Sequence, residues 1–284
     1  MRAQPRSITV FSHTRPHDTE GALRRIAELA DEVGVEVRLP AAEAEKFGKI
    51  PGTVPPPANP SDTDLVVVLG GDGTILTHLR GFAGTGVPVF AVNFGAIGFL
   101  ATVEPSELDE GMRRALRGEF DAMELPTLLA ATATGERLAV NDVSFHRRHS
   151  GRVAELAYSV EGEPLGEVRC DGLVVATPAG STGYNLANGG PVLAWGVEGY
   201  IVSFIAPHTL TARVLVVAPD DTLEVTNRSR LDEVDVTTDG QTICTLAPEA
   251  TMAVRFAHRM ALLAQAPGAT FYQRLRDKFG RLSH

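Results

Sequence analysis

The sequence predicts an α/β domain with a parallel sheet, then an all-β, sandwich-like domain, then a C-terminal helix that returns to the first domain. Strand-like apolar runs alternate with helical spacing over the first ~120 residues, which is typical of a parallel sheet. From about Leu125 onward, short strand-like runs separated by turns replace the helical spacing. The tail 271–279 is again helical in spacing. We therefore expect domains at 1–124 and 125–266, and the final helix within 267–284.

The α/β domain begins with a predicted buried strand at 7–12. Asp18 or Thr19 is expected to cap the next helix, and Gly34 to end it, because small polar residues start helices and glycine stops them. Five prolines between Pro51 and Asp62 argue against any regular element there. The remaining expected elements are strands at 35–39, 65–69 and 87–92, a helix with the apolar stripe Ile75, Leu76, Leu79 and Phe82, and a helix over 105–116.

The second domain is predicted from seven short apolar runs that lack helical spacing. Turn residues separate these runs, and no long-period repeat is present. An all-β domain accounts for both features. The runs lie at 138–140, 173–176, 201–205, 214–218, 223–226, 234–237 and 252–256.

Composition limits the classes of function. The 284 residues carry a formal net charge of −9, which argues against nonspecific binding to nucleic acid or to an anionic membrane. No apolar run approaches the ~20 residues of a membrane helix, and no signal peptide is evident. Two cysteines without partners at metal-ligand spacing favour a reducing compartment over disulfides or zinc. We expect a cytoplasmic protein without nucleic-acid or membrane partners.

The most informative feature is the turn Gly70-Gly71-Asp72-Gly73-Thr74, which follows a buried apolar run. Glycines let backbone N–H groups approach an anionic ligand closely. A carboxylate beside a phosphate costs Coulomb energy, so Asp72 is expected either to take a proton from a hydroxyl or to hold Mg²⁺. The alternative is a tight strand-to-helix turn with a capping aspartate. The turn matches neither a dinucleotide fingerprint nor a Walker loop.

A second candidate site is the segment 171–185, where a strand enters a turn rich in glycine and hydroxyl residues. Ser181 and Thr182 can donate hydrogen bonds, and Tyr184 offers an aromatic face. Adenine or a ribose fits such a surface, and the alternative is a glycine-rich hairpin corner. Other segments are predicted to be simple turns or loops, namely Asn141-Asp142, 93–100 and the hairpin turn 239–241.

The histidines suggest no catalytic site. His146 and His149 flank two arginines and are expected in a solvated basic loop, and His208 is expected to be structural. Ser181 lacks the G-x-S-x-G pattern of a nucleophile elbow, because position 179 is alanine. A hydrolase is therefore disfavoured.

Taken together, these segments resemble the NAD kinase family. The similarity runs in sequence order from Asp64 to about Gln241. It includes the glycine-aspartate turn, an N-x-G-x-x-G-F-L segment, an Asn-acid pair and a long D-G-x-x-x-x-T-P-x-G-S-T-x-Y segment. The matched positions are 70–74, 93–100, 141–142, 171–184, 207–210 and 239–241.

The resemblance implies phosphorylation of the adenosine ribose 2′-hydroxyl of NAD to NADP, with ATP or polyphosphate as donor and Mg²⁺ on the donor phosphates. Asp72 would be the general base, and Gly73 would lie against the pyrophosphate. Asn141 and Asp142 would hold ribose hydroxyls or the adenine end, and Asp171 would contact the nicotinamide half. The other implied binding positions are Arg169, Thr182, Gly183, Tyr184, Asn185, Leu186, Ala187 and Gln241.

This chain departs from the family pattern at several positions. Asp142 stands where the family usually has glutamate, Ala179 and Ala187 replace common hydroxyl residues, and Gly183 and Asn185 also differ from the common motif. These changes are expected to affect affinity and donor choice more than the reaction. Two alternatives remain, a lipid or sugar kinase that shares the glycine-aspartate turn and a nucleotide sensor without turnover. The resemblance also implies a homodimer or homotetramer.

Overall fold

The chain divides into two units with different secondary structure. The computed structural model describes residues 2–13, 15–59, 61–95, 98–149 and 152–280. One unit comprises Met1–Glu124 and Ala261–His284 and is called the α/β unit; Leu125–Met260 forms the β unit. The C-terminal helix belongs to the α/β unit, which confirms its predicted return to the first domain.

Seventeen strands and six α-helices are assigned within the described residues. The helices are α1 Pro16–Asp31, α2 Ala41–Phe47, α3 Asp72–Gly81, α4 Leu108–Ala115, α5 Tyr184–Ala187 and α6 Phe271–Phe279. The strands are β1 Ser7–Ser12, β2 Glu36–Arg38, β3 Thr53–Val54, β4 Leu65–Gly70, β5 Val89–Asn93, β6 Asp121–Thr132, β7 Gly135–Ala139, β8 Asp142–Arg147, β9 Ala154–Val160, β10 Glu163–Cys170, β11 Gly172–Ala176, β12 Tyr200–Ile205, β13 Leu215–Val217, β14 Leu223–Asn227, β15 Val234–Thr238, β16 Gln241–Leu246 and β17 Thr251–Gln265.

The α/β unit is built on a parallel sheet in the order β5-β4-β1-β2-β3. Every residue of β4 is buried, as a central strand covered on both faces requires. The stripe predicted on α3 is also buried, because Ile75, Leu76, Leu79 and Phe82 are each less than 9% exposed. The parallel α/β architecture is therefore confirmed.

Several local details of this unit differ from the sequence prediction. Helix α1 begins at Pro16, and proline suits the first helical position because its φ is fixed and it has no N–H that needs a partner. The predicted cap by Asp18 or Thr19 is not observed. The helix α2 was not predicted. The proline-rich loop contains the two-residue strand β3 at the sheet edge, where proline is tolerated. A 3₁₀ turn at Pro105–Glu107 precedes α4.

The β unit contains a six-stranded antiparallel sheet in the order β13-β12-β11-β8-β15-β16. Residues alternate between its faces, so Val143 and Phe145 of β8 and Leu173 and Val175 of β11 all lie in the main apolar core. A second antiparallel group, β10-β9-β14-β17, contributes Leu156, Val225 and Val254 to the same core. The predicted all-β character is confirmed.

The sequence missed several strands of the β unit, including β8, β9, β10 and β16. Strand β10 has six exposed or polar positions before its buried end, so it carries no apolar run. Strand β17 is much longer than the predicted run at 252–256. No helix in the described part of the chain is long and apolar enough to cross a membrane.

Candidate active site

Asp72 is the first residue of α3 and follows the N-cap Gly71. Its carboxylate accepts two backbone hydrogen bonds, from Phe99 N to Oδ2 at 2.8 Å and from Leu100 N to Oδ1 at 3.1 Å. Hydrogen bonds to a charged acceptor contribute ~1.5–3 kcal/mol each. Each oxygen keeps a further lone pair, so the side chain is held in one orientation and can still accept a proton.

The pKa of Asp72 reflects opposing influences. Burial raises it, because a partly desolvated carboxylate is less stable in its charged form. The amides of Phe99 and Leu100 lower it, as do the positive charges of Arg274 and Lys278. Burial is the largest influence, so the pKa of Asp72 lies above its ordinary value. A raised carboxylate pKa suits a general base, which must accept a proton during the reaction.

Two of the turn glycines lie too close to neighbouring atoms for a side chain, Gly70 against the Thr74 side chain and Gly71 against the Gly95 backbone. A Cβ on Gly70 would lie 2.7 Å from the Cβ of Thr74, and one on Gly71 would lie 3.2 Å from the Cα of Gly95. A Cβ on Gly95 would in turn lie 2.8 Å from the Cα of Gly71. Gly73 is exposed and has no atom near its Cβ position, so it is the glycine available to a ligand. The alternative of a capping aspartate is not observed, since Asp72 bonds to Phe99 and Leu100.

The segment 93–100 folds against this turn through Asn93, the last residue of β5. Its Oδ1 accepts from Gly95 N at 3.0 Å, and its Nδ2 donates to Glu104 at 2.9 Å. A Cβ on Gly98 would lie 2.8 Å from the Asn93 side chain. The Asn93 side chain thus holds the Gly95 backbone by a hydrogen bond and leaves no room for a side chain at position 98. Ala96 and Ile97 of the same motif lie outside the described residues.

In the β unit, Asp142 starts strand β8, and Asn141 directly precedes it beside the hairpin turn at Asp239. The Asp239 carboxylate accepts backbone hydrogen bonds from Val140, Asn141 and Asp142 at 2.7–3.2 Å. Asp239 and Gly240 have φ values of +46° and +76°, which form the predicted hairpin turn. The side-chain Oδ1 of Asn141 is buried and has no hydrogen-bond partner among the described residues.

Asp142 is the most perturbed carboxyl group of the β unit. It is 7% exposed, and burial together with the Asp239 carboxylate raises its pKa to about 7. Burial disfavours the charged form of Asp142, and the Asp239 carboxylate disfavours a second negative charge beside its own. Asp142 therefore keeps its proton to a higher pH than an ordinary carboxyl group, and its side chain, one methylene shorter than that of glutamate, is buried.

A polar strip continues from Asp142 along the same face of β8. Ser144 bonds to Thr237 at 2.7 Å and to the Nε2 of His146 at 2.8 Å. The ring of His146 stacks on Tyr184, with centroids 5.6 Å apart and planes at 15°. The prediction that His146 lies in a solvated loop is wrong, because it belongs to β8, and burial lowers its pKa. This strip can offer hydroxyl and ring contacts to a sugar or a base.

The turn after β11 packs tightly on Asn141. Thr177 donates from Oγ1 to Val140 O at 2.7 Å, and a Cβ on Gly180 would lie only 2.0 Å from the Asn141 carbonyl oxygen. Ser181 is fully buried and bonds to Pro178 O and Leu193 N. Its role is structural, which agrees with the absence of a nucleophile elbow.

The residues that follow differ in their access to solvent. Asn185 is completely buried and donates to Ser181 O and Pro191 O, so its side chain stabilises the turn. Thr182 is partly buried and donates to Ala179 O at 3.2 Å. The exposed or partly exposed positions, which a ligand can reach without rearrangement, are Gly183, Tyr184, Leu186, Ala187 and Gln241.

Arg169 and Asp171 lie at the opposite end of β11 from Asp142, since Gly172 pairs with His146 whereas Ala176 pairs with Asp142. The guanidinium of Arg169 pairs with Glu155 at 3.1 Å, and Asp171 pairs with Arg147 at 3.1 Å. Both Asp142 and Asp171 raise the pKa of Tyr184, after burial. The charges of two carboxylates at opposite ends of the strand thus both act on the Tyr184 hydroxyl.

A cleft of about 750 Å³ opens beside Arg169. Arg152, Arg230 and His208 also line it, together with Glu155 and Asp232. Arg152 pairs with Asp232 at 3.0 Å, as Arg169 pairs with Glu155. This cleft belongs to the β unit alone.

The structure thus forms two groups of predicted residues, with Asp72 and Gly73 in the α/β unit and the others in the β unit. Sequence reasoning missed Ser144 and Thr237 on the polar strip. It also missed Arg274 of α6, which donates to Phe99 O at 2.7 Å beside Asp72. The alternation of polar residues at 142, 144 and 146 was the one available signal for the strip.

Comparison with known proteins identifies the family of both units. The family model for the ATP-NAD kinase N-terminal domain matches residues 52–120, and that for the ATP-NAD kinase C-terminal domain matches residues 140–266. The NAD kinase of Gemmatimonas aurantiaca is 37% identical over 223 residues, covering 76% of this chain and 77% of the relative. The NAD kinase of Symbiobacterium thermophilum is 34% identical over 259 residues, covering 89% and 91%.

Solved structures share the fold. An NAD kinase from Archaeoglobus fulgidus, in complex with ATP, superimposes with a TM-score of 0.76 at 26% identity and covers 96% of this chain and 97% of its own. Yeast NADH kinase complexed with NADH has a TM-score of 0.86 at 22% identity, over 100% and 90% of the two chains, and this similarity concerns the fold alone. From its two matched domain models and its curated relatives, this chain belongs to the NAD kinase family.

Proposed function

We propose that the protein phosphorylates the adenosine ribose 2′-hydroxyl of NAD to give NADP, with ATP as donor and Asp72 as general base. Family membership supports this reaction above the alternatives. A ribose hydroxyl is a poor nucleophile until its proton is removed during attack. Phosphoryl transfer otherwise depends on positioning and on charge neutralisation.

The observation that carries the proposal is the setting of Asp72. Its carboxylate is oriented by the amides of Phe99 and Leu100 at the N-terminus of α3, next to the exposed Gly73. Rigid orientation of a base with a raised pKa favours proton transfer from a bound alcohol. Gly73 leaves room for a pyrophosphate against the backbone, and the positive end of the α3 dipole favours its charge.

We further propose that the polar strip of the β unit binds the dinucleotide. The unpartnered Oδ1 of Asn141 needs a donor, because an unsatisfied buried acceptor costs ~1–3 kcal/mol. A ribose hydroxyl or the adenine amino group supplies one. Tyr184 offers its exposed ring, and the carboxyl group of Asp142 can accept or donate near neutral pH. The other binding residues proposed from the family pattern are Arg169, Asp171, Thr182, Gly183, Asn185, Leu186, Ala187 and Gln241.

We propose that Mg²⁺ enters with the donor phosphates as part of the substrate. Oxygen ligands from phosphates are its usual partners in kinases. Among the described residues, no group of three or more His, Cys, Asp or Glu side chains is placed to hold a metal ion. Whether polyphosphate also serves as donor is decided by the assay below.

The test is formation of NADP from NAD with Mg-ATP or Mg-polyphosphate, read in a coupled assay. The Asp72→Asn variant is expected to lose at least 10²–10⁴-fold in kcat, the usual contribution of a general base, while its Kd for NAD changes only a few-fold. Asp31→Asn serves as the matched control, because Asp31 is an exposed residue at the end of α1. Parent-like turnover by Asp72→Asn refutes the base assignment.

The alternatives give different outcomes in the same experiment. A lipid kinase would phosphorylate diacylglycerol and leave NAD unlabelled, and a sugar kinase would likewise label another alcohol. A sensor would bind NAD without forming NADP from any donor. Cytoplasmic location and assembly as a homodimer or homotetramer stay predictions, the latter measurable by light scattering coupled to gel filtration.

A further inference from the structure

The side chain of Arg274 lies behind the backbone segment that holds Asp72. Its Nη1 donates to the carbonyl oxygen of Phe99 at 2.7 Å and also to that of Ala101. Its Nη2 donates to the side chain of Gln265 at the end of β17. The planar guanidinium thus holds two carbonyls on either side of Leu100 and is itself oriented by a third group.

One peptide group connects this cation to the carboxylate. The carbonyl of Phe99 accepts from Arg274, and the N–H of the same peptide, on Leu100, donates to Asp72 Oδ1. A cation on the oxygen of a peptide and an anion on its hydrogen polarise it in the same sense, so each bond strengthens the other. Arg274 therefore acts on Asp72 through this peptide group as well as through its charge.

Other charges near Asp72 come from two further segments. Lys278 of α6 pairs with Glu104 at 2.7 Å, and Glu104 also accepts from Asn93. On its own helix, Asp72 is followed by His78, whose ring stacks on Phe11 and whose pKa burial lowers to about 4, so it is neutral. Both Arg274 and Lys278 lower the pKa of Asp72 through their charge, and the same two cations lower the pKa of Glu104.

We propose that Arg274 is a positioning residue for the transfer reaction, which locks segment 99–101 and keeps the Asp72 carboxylate ionised and aimed. This inference rests on the proposed function. It assigns a catalytic purpose to α6, a helix outside both matched family domains. The C-terminal helix is then part of the active site of this enzyme rather than only a cover on the sheet.

The experiment is the pH dependence of kcat, with NAD and Mg-ATP saturating, for the full-length parent, Arg274→Gln and Arg274→Lys. In Arg274→Gln the acid limb is expected to move up by about one pH unit, because the carboxylate loses a nearby cation and a polarised donor. Plateau kcat is expected to fall about 10-fold, while KM for NAD changes less than about threefold. Arg274→Lys keeps the positive charge but loses the planar guanidinium, so we expect its acid limb to lie at the same pH as in the parent and only its plateau kcat to be lower.

Arg276→Gln is the matched control, with the same charge change on the same helix. Arg276 is exposed and lies 3.6 Å from its neighbour Asp277, so parent-like kinetics are expected. A folded Arg274→Gln with the acid limb of the parent overturns the inference, since a purely structural role lowers Tm without moving that limb. If Arg274→Gln does not fold, Arg274→Lys decides, and a plateau equal to that of the parent overturns the inference.

The two proposals fail in different ways. A parent enzyme that forms no NADP from any donor overturns the proposed function and this inference with it. An active parent whose folded Arg274→Gln variant shows an unmoved acid limb overturns this inference alone.

Discussion

Replacing Asp142 by asparagine is expected to stabilise the β unit at pH 8. The folded protein holds the pKa of Asp142 at about 7, against an ordinary value of 3.8, because the group is buried beside Asp239. Deprotonation therefore disfavours the folded state. Each unit of pKa difference corresponds to about 1.36 kcal/mol, so a rise of about three units costs about 4 kcal/mol of unfolding free energy.

The sign follows from proton binding. Between about pH 4 and pH 7 the folded state holds a proton on Asp142 that the unfolded state has lost, so the parent becomes less stable as pH rises. Above pH 7 both states are deprotonated and the loss is complete. Asparagine does not titrate, so the unfolding free energy of the variant should exceed that of the parent by about 4 kcal/mol at pH 8 and by about 2 kcal/mol at pH 5.

Urea unfolding followed by tryptophan fluorescence measures this directly. Trp195 is the single tryptophan of the chain and is buried in the β unit, so it reports that unit alone. Glu163→Gln is the matched control for the loss of one negative charge, because Glu163 is an exposed residue of β10 in the same unit. A stability gap between Asp142→Asn and the parent that is the same at pH 5 and pH 8 would refute the reasoning.

Two further substitutions test the binding surface and the turn. Tyr184→Ala removes the exposed ring that stacks on His146, so it should raise KM for NAD several-fold with little change in kcat. Steady-state kinetics measures both constants, and an unchanged KM would show that Tyr184 does not contact NAD. Gly180→Ala would place a Cβ 2.0 Å from the Asn141 carbonyl oxygen and should lower stability by about 1–3 kcal/mol as well as weaken NAD binding. Gly21→Ala, in the exposed interior of α1 with open space around it, should instead stabilise by about 0.5–1 kcal/mol in thermal unfolding.

Much of the fold could be predicted because its signals are local. The fully apolar β4 ends at consecutive glycines, and the helical stripe of α3 follows at once. The spacing of Phe271, Leu275 and Phe279 defined α6 to the residue. Strand β10 escaped prediction because its side chains are mostly exposed, so the hydrogen bonds of its backbone to β9, rather than apolar burial, define it.

The sequence by itself determined the two-domain architecture, the glycine-aspartate turn and, through its ordered motifs, the family. Only the tertiary structure decided which groups surround the carboxylates of Asp72 and Asp142. Asp239 lies 97 positions from the Asp142 amide that it binds, and Arg274 lies 175 positions from Phe99. The physical reason is that periodicity and turn chemistry act over a few residues. Strand register and helix docking decide which residues distant in sequence lie close together, and the charges of those neighbours shift the pKa of each carboxylate.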